Sequence, residues 1–326
     1  MGITNKISKF EKKLHKKQST NKSKHKSKQN VSKDISNQIY VNSLVIPVIN
    51  NEYDNIIIDI GISCIKGSEE FAYLCLSTLI RLANNPKRLK FYLGIDLNQS
   101  SNTDGLRLKK IRELVPDIDI DIITTGYSRS SISHGVIINK LYSKFTNKYA
   151  IISDNDILIY QQNWDNLFLE NMIQNDLAIL GVPYDDDKNK HYTNFPCAMF
   201  CMFDREKLLP LNIDFHPIGW NAINHKPLIV DNIKYDTGIE LYLKITKTDM
   251  KYKILVSDKT HKTEGNINSY YYFNDQLIMS HYQRGTQEIQ KTHKYINLWI
   301  RQMIKYCKKM HNIDLKNLKH VFDDFL

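Results

Sequence analysis

The residues best suited to chemistry in this sequence are the two aspartates of Asp154-Asn155-Asp156. They follow an apolar run at residues 149–153 that is typical of a buried strand, and a second apolar run follows them at residues 157–159. Two carboxylates one residue apart at a strand end can hold Mg²⁺ or Mn²⁺, because these hard cations prefer oxygen ligands. We therefore predict a metal site here, and a solvated turn is the less favoured interpretation. A second acidic run at residues 185–187 lies in a polar stretch and is ranked below it.

Further polar residues lie near the ends of predicted elements. They are Asp96, His134, Asp236, Glu240, His281 and Arg284. Asp236 and Glu240 are one helical turn apart at a predicted helix start, where either carboxylate could take a proton from an attacking hydroxyl group. Arg284 can reach a diphosphate group. Simpler interpretations stay open: Asp96 as a turn residue, the two helix-start acids as partners of the helix dipole, and His281 as a structural histidine.

The elements that would position these residues alternate along the chain. Apolar runs predict strands at residues 55–60, 90–96, 118–124, 149–153, 177–182, 198–203, 252–256 and 276–280. Helical spacing predicts helices at residues 69–83, 105–114, 134–145, 164–174, 236–244 and 294–311. This alternation predicts an α/β fold with a mostly parallel sheet and flanking helices, in which ligands bind beyond the carboxyl ends of the strands.

With these residues in this order, the chain resembles the family 2-like glycosyltransferases of GT-A fold over roughly residues 55–290. The resemblance implies a single Rossmann-like GT-A domain. It also implies that Asp156 is a direct metal ligand and that Asp154 contacts the ribose or a metal-bound water. His281 corresponds to a late histidine that serves as a further metal ligand.

The resemblance assigns the remaining candidates to the nucleotide and the acceptor. Asp96 would contact the base or ribose, and His134 lies in the segment that contacts the nucleotide, where many members carry an Arg-Asn pair that this chain lacks. Asp236 resembles the catalytic acid of the family, with Glu240 as the alternative base.

The function that follows is metal-dependent transfer of a sugar from a nucleoside-diphosphate sugar to a hydroxyl group on a glycan or protein. We expect UDP as the nucleotide, Mn²⁺ or Mg²⁺ as the metal, and inversion at the anomeric carbon. One alternative is a nucleotidyltransferase, but the segment at residues 61–64 is not the glycine-rich phosphate loop that such an enzyme would normally carry. The other is a non-catalytic GT-A-like protein that binds anionic partners through a basic tail.

The basic tail accounts for most of the net charge of +10. Residues 1–37 contain eleven lysines against Glu11 and Asp34, which gives +9 and leaves about +1 for the rest. We predict that this tail is disordered and that it can contact an anionic membrane or nucleic acid weakly. The expected domains are the tail at residues 1–37, a catalytic domain at 38–290 and a helical extension at 291–326.

The location of the protein is predicted from what its sequence lacks. No apolar run is long enough to span a bilayer, and the lysine-rich start has no apolar signal-peptide core. Five cysteines at irregular spacing suggest reduced thiols rather than a disulfide framework. We therefore expect a cytoplasmic protein, and its heavy use of Asn, Ile and Lys is compatible with an AT-rich genome such as that of a large DNA virus.

Overall fold

The computed structural model describes residues 53–65, 67–97, 105–125, 131–184, 192–219, 228–263, 266–283 and 293–321. The predicted tail, the acidic run at residues 185–187 and Arg284 lie outside these residues. The strands are β1 (Ile58–Ile65), β2 (Leu89–Asp96), β3 (Asp119–Ile123), β4 (Tyr149–Asp154), β5 (Ile157–Ile159), β6 (Leu177–Pro183), β7 (Pro196–Asp204), β8 (Leu228–Val230), β9 (Ile233–Tyr235), β10 (Lys251–Ile254), β11 (Val256–Thr263), β12 (Asn266–Phe273) and β13 (Gln276–Gln283). The α-helices are α1 (Glu69–Arg81), α2 (Gly105–Leu114), α3 (Ser131–Lys144), α4 (Trp164–Gln174), α5 (Arg205–Leu208), α6 (Ile239–Ile245) and α7 (His293–His311). Short 3₁₀ helices lie at Pro86–Arg88, Leu209–Leu211 and Lys316–His320.

Seven strands form the central sheet in the order β10-β6-β7-β4-β1-β2-β3. Six of them run parallel to one another, and β7 runs antiparallel to both of its neighbours. Strands β1, β4 and β6 are almost wholly buried, which explains their near-continuous apolar sequences. The prediction of an α/β fold with a mostly parallel sheet and flanking helices is confirmed.

Helix α3 lies close against the first two strands because a glycine in β2 leaves room for it. A Cβ atom on Gly94 would come within 2.6 Å of the Ile137 side chain and 3.4 Å of Leu141, both in α3. Residues this close to another element must lack a side chain. The start of α3, which carries His134, is thereby held near the carboxyl end of the sheet.

A second, antiparallel sheet has the strand order β11-β12-β13-β5. Only Asn155 and Asp156 separate the end of β4, in the central sheet, from the start of β5, in this second sheet. Strand β13 pairs with β5 so that His281 lies opposite Ile157. A chain segment more than one hundred residues away is therefore brought beside the Asp154-Asn155-Asp156 turn.

Several predicted boundaries differ from the observed ones. Strand β1 begins at Ile58 and continues to Ile65, beyond the predicted end at residue 60, because the alternating small and polar residues of its second half are also buried. Helix α6 begins at Ile239 rather than at residue 236, since Gly238 has a φ of +76°, which interrupts a helix. The expectation that Asp236 and Glu240 share one helical face is therefore wrong.

Helix α7 packs its apolar face onto the rest of the fold. Trp299 is 1% exposed, and its ring lies 5.1 Å from that of Tyr282 and 6.2 Å from that of Phe71, centroid to centroid. Its indole Nε1 donates a hydrogen bond of 2.7 Å to Ser280 Oγ in β13. The helix thus supports the strand that carries His281. No helix within the described residues is both long and apolar enough to cross a membrane.

Candidate functional site

The candidate site lies where the strand order of the central sheet reverses. Strands β1, β2 and β3 lead away in one direction and β4 lies on the other side of β1, so the carboxyl ends of β1 and β4 flank a topological switch point. In this register Ser63 lies opposite Asp154. A cleft of about 200 Å³ opens at this point. It is lined by Ser63, Cys64, Ile65, Ser131, Ser133, His134, Ile137, Asp154, Asn155 and Asp156.

Three potential metal ligands converge at the turn between the two sheets. Asp154 ends β4, Asp156 precedes β5, and His281 lies in β13. The backbone N–H of Tyr282 donates to the Asp156 carbonyl oxygen at 2.9 Å, which fixes β13 beside the turn. His281 Nε2 then lies 3.1 Å from Asp156 Oδ1.

The spacing and chemistry of these side chains fit a single divalent cation. One ligand atom from each of Asp154, Asp156 and His281 lies within 4.8 Å of the other two, and this is the one such group found among the described residues. Two carboxylates and an imidazole offer oxygen and nitrogen donors, a set that Mn²⁺ accepts, whereas Mg²⁺ prefers oxygen alone. The predicted ligands are therefore brought together by the fold.

His134 reaches the same turn from the start of α3. Its Nε2 lies 2.9 Å from Asp154 Oδ1 and 3.1 Å from Ser63 Oγ, and Ser63 Oγ donates to Asp154 Oδ1 at 3.2 Å. A serine–histidine–aspartate relay needs the serine and the carboxylate on opposite ring nitrogens. Here both contact Nε2, so the three side chains form a closed triangle and not a nucleophile relay.

The charges in this triangle shift the pKa values of His134 and Asp154. Burial alone would lower the pKa of His134, but the charge and hydrogen bond of Asp154, helped by Asp236 and Asp156, raise it above its ordinary value. Burial would raise the pKa of Asp154, whereas His134, His281 and Ser63 together lower it. Asp154 is thus held as a carboxylate at the mouth of the cleft.

Asn155, between the two aspartates, anchors the turn through its side-chain amide. Its Nδ2 donates to Ser68 Oγ at 2.7 Å and to the Ser68 carbonyl oxygen at 3.0 Å. Ser68 Oγ in turn donates to the Ile65 carbonyl oxygen at 2.6 Å, so the turn is tied both to the end of β1 and to the start of α1. This role was not predictable from the sequence, since an asparagine between two acids also suits a solvated turn.

Asp236 approaches the cleft from the loop before α6. It is 8% exposed, pairs with Lys234 Nζ at 2.5 Å and accepts a 2.8 Å hydrogen bond from the Thr237 backbone N–H. Thr237 Oγ1 donates to the Ser131 carbonyl oxygen at 2.9 Å, which attaches this loop to the start of α3. Asp236 is close enough for its charge to raise the pKa of His134.

Glu240, the alternative base, makes contacts of a different kind. Its Oε2 accepts a 2.9 Å hydrogen bond from the Asp214 backbone N–H and pairs with Lys244 Nζ at 2.5 Å, one turn along α6. Neither Glu240 nor Asp236 is among the residues that line the cleft. The two acids differ in that the charge of Asp236 acts on His134, which does line it.

Asp96 ends β2 and is also outside the cleft lining, although it lies opposite Ile65, which does line it. Its Oδ1 accepts a 2.9 Å hydrogen bond from Thr125 Oγ1, and it is 1% exposed. A contact of Asp96 with a nucleotide remains a prediction.

The start of α1 carries two acids, Glu69 and Glu70, in its first turn. The backbone N–H of Gly67 donates to Glu69 Oε2 at 2.9 Å, and Arg107 Nη1 lies 3.3 Å from Glu69 and 3.2 Å from Glu70. Carboxylates at a helix start disfavour the binding of a phosphate there.

Sequence reasoning missed Ser63 and Thr237 as well as Asn155. Ser63 could have been noticed, because it is a polar residue near the end of an otherwise apolar strand, the position at which α/β folds place ligand-binding residues. Thr237 gave no comparable signal, since its role depends on a contact with Ser131 across 106 residues.

Comparisons with known proteins concern the fold. No protein-family model and no curated protein matches the chain. Among solved structures, it is similar to S. aureus TarS 1-349 in complex with UDP-GlcNAc, with 10% identity, 83% of this chain and 71% of that chain covered, and a TM-score of 0.47. It is also similar to the mannosyltransferase PcManGT from Pyrobaculum calidifontis in complex with GDP-Man and Mn²⁺, with 12% identity, 49% and 48% coverage, and a TM-score of 0.37.

A third similar structure is the glycosyltransferase GlyE of Streptococcus pneumoniae TIGR4, with 13% identity, 62% of this chain and 45% of that chain covered, and a TM-score of 0.39. The chain therefore spans about half the length of the mannosyltransferase and of GlyE.

Proposed function

We propose that this protein is a metal-dependent glycosyltransferase that moves a sugar from a nucleoside-diphosphate sugar to a hydroxyl group of a glycan or protein. The observation that carries the proposal is the convergence of Asp154, Asp156 and His281 at the switch point of the central sheet. The site brings together two segments that are more than one hundred residues apart, and a solvated acidic turn would have no need of the second one.

A divalent cation is part of this proposal because of the charges in the cleft. Its lining contains the carboxylates of Asp154 and Asp156 and no lysine or arginine among the described residues. Such a surface would repel a diphosphate unless a cation lay between them. Asp156 and His281 would hold the ion with Asp154, and Mn²⁺ or Mg²⁺ would supply Lewis-acid stabilisation of the charge on the departing nucleoside diphosphate.

Asp236 is the proposed general base. In an inverting transfer the acceptor oxygen forms a bond to the anomeric carbon, the bond from that carbon to the phosphate oxygen breaks, and the diphosphate leaves with the electron pair. The hydroxyl proton passes to a carboxylate oxygen of Asp236. Each acid pairs with a lysine, Asp236 with Lys234 and Glu240 with Lys244. Asp236 is favoured because its charge raises the pKa of His134 in the cleft lining, and because the next residue, Thr237, bonds to the start of α3.

The donor class rests on the metal site and on the order of the motifs. We propose UDP as the nucleotide, as the sequence-based resemblance suggests. GDP is the competing nucleotide. The transfer assay described next therefore includes both UDP-sugars and GDP-sugars.

A transfer assay with Asp156→Ala tests the proposal. Mn²⁺-dependent sugar transfer from a panel of UDP- and GDP-sugars should fall by at least about 100-fold in this variant, because the ion loses a ligand whose Lewis-acid contribution amounts to several kcal/mol. The matched control is Asp249→Ala, an exposed aspartate after α6. Transfer that is unchanged in Asp156→Ala, with both variants folded by circular dichroism, would rule the assignment out.

A further inference from the structure

A basic groove lies on the C-terminal part of the fold, between α7 and the 3₁₀ helix Lys316–His320. Its volume is about 430 Å³. It is lined by Arg301, Ile304, Lys305, Lys308, Lys309, Asp314, Lys316 and Lys319, which we call the C-terminal basic groove. It shares no lining residue with the candidate active site.

The cations of this groove greatly outnumber its anions. Six lysine and arginine side chains surround it and Asp314 is the one acid, which gives a net charge of +5. Asp314 pairs with Lys316 at 3.3 Å, and Lys308 donates to Asn312 Oδ1 at 2.8 Å. Within the described part of the chain, Arg301, Lys305, Lys309 and Lys319 pair with no carboxylate. A cluster of like charges is unfavourable by itself, so a solvated face of mixed sign would be the expected arrangement.

Helical spacing places the cations of α7 on the side opposite its packed face. Arg301 and Lys305 are four residues apart, Lys308 and Lys309 follow three and four residues later, and Leu298 precedes Arg301 by three. The apolar face, with Ile296, Trp299 and Met303, is buried against the body. The helix therefore cannot turn its apolar face to a partner, and its cationic row is fixed towards solvent.

The groove is apolar beneath its charged rim. Ile304 is half-buried in it, and the fully buried Leu315 and Leu318 lie on the adjoining segment. Lysine and arginine add aliphatic stems that cover apolar surface while their charged ends extend outward. Leu298, on the same row of α7, is 45% exposed. A partner for this surface should therefore be anionic and should also accept apolar side chains.

Single-stranded nucleic acid and an anionic lipid surface are the two candidate partners, and they require different side chains from the protein. Proteins that bind single-stranded nucleic acid usually combine cations with aromatic rings on which bases stack. No aromatic residue lines this groove among the described residues, and Tyr306 on the same helix packs its ring 5.4 Å from that of Tyr160. Lipid surfaces need no stacking platform: clustered lysines attract anionic headgroups, and exposed leucine enters the interface.

We propose that the C-terminal basic groove docks on the surface of an anionic membrane, with Arg301, Lys305 and Lys309 against lipid headgroups and Leu298 in the interface. The interaction is peripheral and electrostatic, and it does not depend on the proposed transferase activity. Because each cation near such a surface adds to the attraction, the groove should contribute measurably to binding in addition to the lysines of residues 1–37.

The test is vesicle co-sedimentation of the full chain. The groove variant replaces Arg301, Lys305 and Lys309, the three cations proposed to contact headgroups, with glutamine. The control variant replaces Lys87, Lys140 and Lys247 with glutamine, which removes the same charge from exposed lysines scattered over the body. Vesicles of phosphatidylcholine alone are compared with vesicles that also contain phosphatidylserine, at two salt concentrations.

Wild type and control should bind the phosphatidylserine vesicles and not the neutral ones. The groove variant should bind at least about tenfold more weakly at low salt, with the difference shrinking as salt is raised. Equal binding of the groove variant and wild type would overturn the proposal, since the basic tail alone would then account for binding. The proposal would also fail if the groove substitutions weakened binding of a single-stranded oligonucleotide and left vesicle binding unchanged.

Discussion

At the scale of single residues, two pairs of aspartates in the described part of the chain differ in what surrounds their carboxylates. Asp59 and Asp165 are fully buried, and their oxygens are occupied by backbone N–H groups and by Tyr92 or Arg88. Such carboxylates stabilise the fold and offer no position to a ligand. Asp154 and Asp156 instead line a cleft and have histidines as neighbours. This difference separates a candidate site from structural acids.

Asp236 provides a residue-scale test of the proposed chemistry. Asp236→Asn keeps the shape of the side chain but cannot take up a proton, so transfer should fall by about 100-fold or more, the usual contribution of a general base. Donor affinity should stay within about threefold of wild type, because Asp236 is not part of the proposed metal set. Single-turnover kinetics and donor titration measure the two quantities separately.

Glu240→Gln is the matched control for this substitution. Glu240 is engaged by Lys244 and the Asp214 backbone, so its loss should change stability slightly and transfer little. Full activity of Asp236→Asn together with inactive, folded Glu240→Gln would reverse the assignment of the base.

His281 provides a second residue-scale test, which concerns the choice of metal. His281→Gln replaces a nitrogen donor with an amide oxygen, and we expect Mn²⁺ affinity to fall by at least about tenfold while Mg²⁺ affinity changes less. Calorimetric titration of each ion into wild type and variant measures this preference. No loss for either ion would remove His281 from the ligand set, and equal losses for both ions would contradict the predicted preference for Mn²⁺.

At the scale of elements, the site depends on how the turn between β4 and β5 is held. Asn155 ties this turn to Ser68, and Ser68 ties the start of α1 to Ile65 at the end of β1. Three elements thereby share one small hydrogen-bond network, and the two aspartates on either side of Asn155 inherit its orientation. The hydrogen bonds of Asn155, in the turn between β4 and β5, therefore help to determine where the carboxylates of Asp154 and Asp156 point.

Substituting Asn155 tests this positioning role. Asn155→Ala removes two buried hydrogen bonds, from Asn155 Nδ2 to the Oγ and to the carbonyl oxygen of Ser68, so the free energy of unfolding should fall by about 1–3 kcal/mol. Mn²⁺ affinity should fall by roughly tenfold, because the aspartates lose their fixed orientation.

Asn175→Ala is the control, since Asn175 Nδ2 likewise donates to a backbone carbonyl, that of Asn171 at 3.1 Å, at the end of α4. It should lose stability and keep its metal affinity. If Asn155→Ala lost stability alone, Asn155 would be structural and would not position the aspartates.

At the scale of the whole molecule, the sequence predicted the parts whose signal is local. The central strands and the Asp154–Asp156 pair were predictable because apolar runs and a strand-end acid motif are readable within about ten residues. The pairing of β13 with β5 was not, since antiparallel partners far apart in sequence leave no local pattern. The start of α6 was misplaced because its acidic residues suit a helix start, whereas Gly238 adopts a positive φ.

The packing of α7 allows a prediction at this scale. Trp299→Ala removes a fully buried ring between Tyr282 and Phe71 and leaves Ser280 Oγ without its donor, so the free energy of unfolding should fall by about 3–5 kcal/mol. Leu298→Ala, on the exposed face of the same helix, should change it by less than about 0.5 kcal/mol. Urea denaturation compares the two, and similar small losses would show that α7 is not required for the stability of the body.

The central claim is that Asp154, Asp156 and His281 hold a divalent cation that in turn binds a nucleotide sugar. The most direct measurement is a thermal-shift titration of UDP-sugars and GDP-sugars with Mn²⁺ and after its removal by a chelator, because a ligand that binds only the folded state raises the melting temperature. We predict a clear rise for at least one nucleotide sugar with Mn²⁺, none with the chelator, and none in Asp156→Ala. An equal rise with and without the metal, or in Asp156→Ala, would contradict the claim.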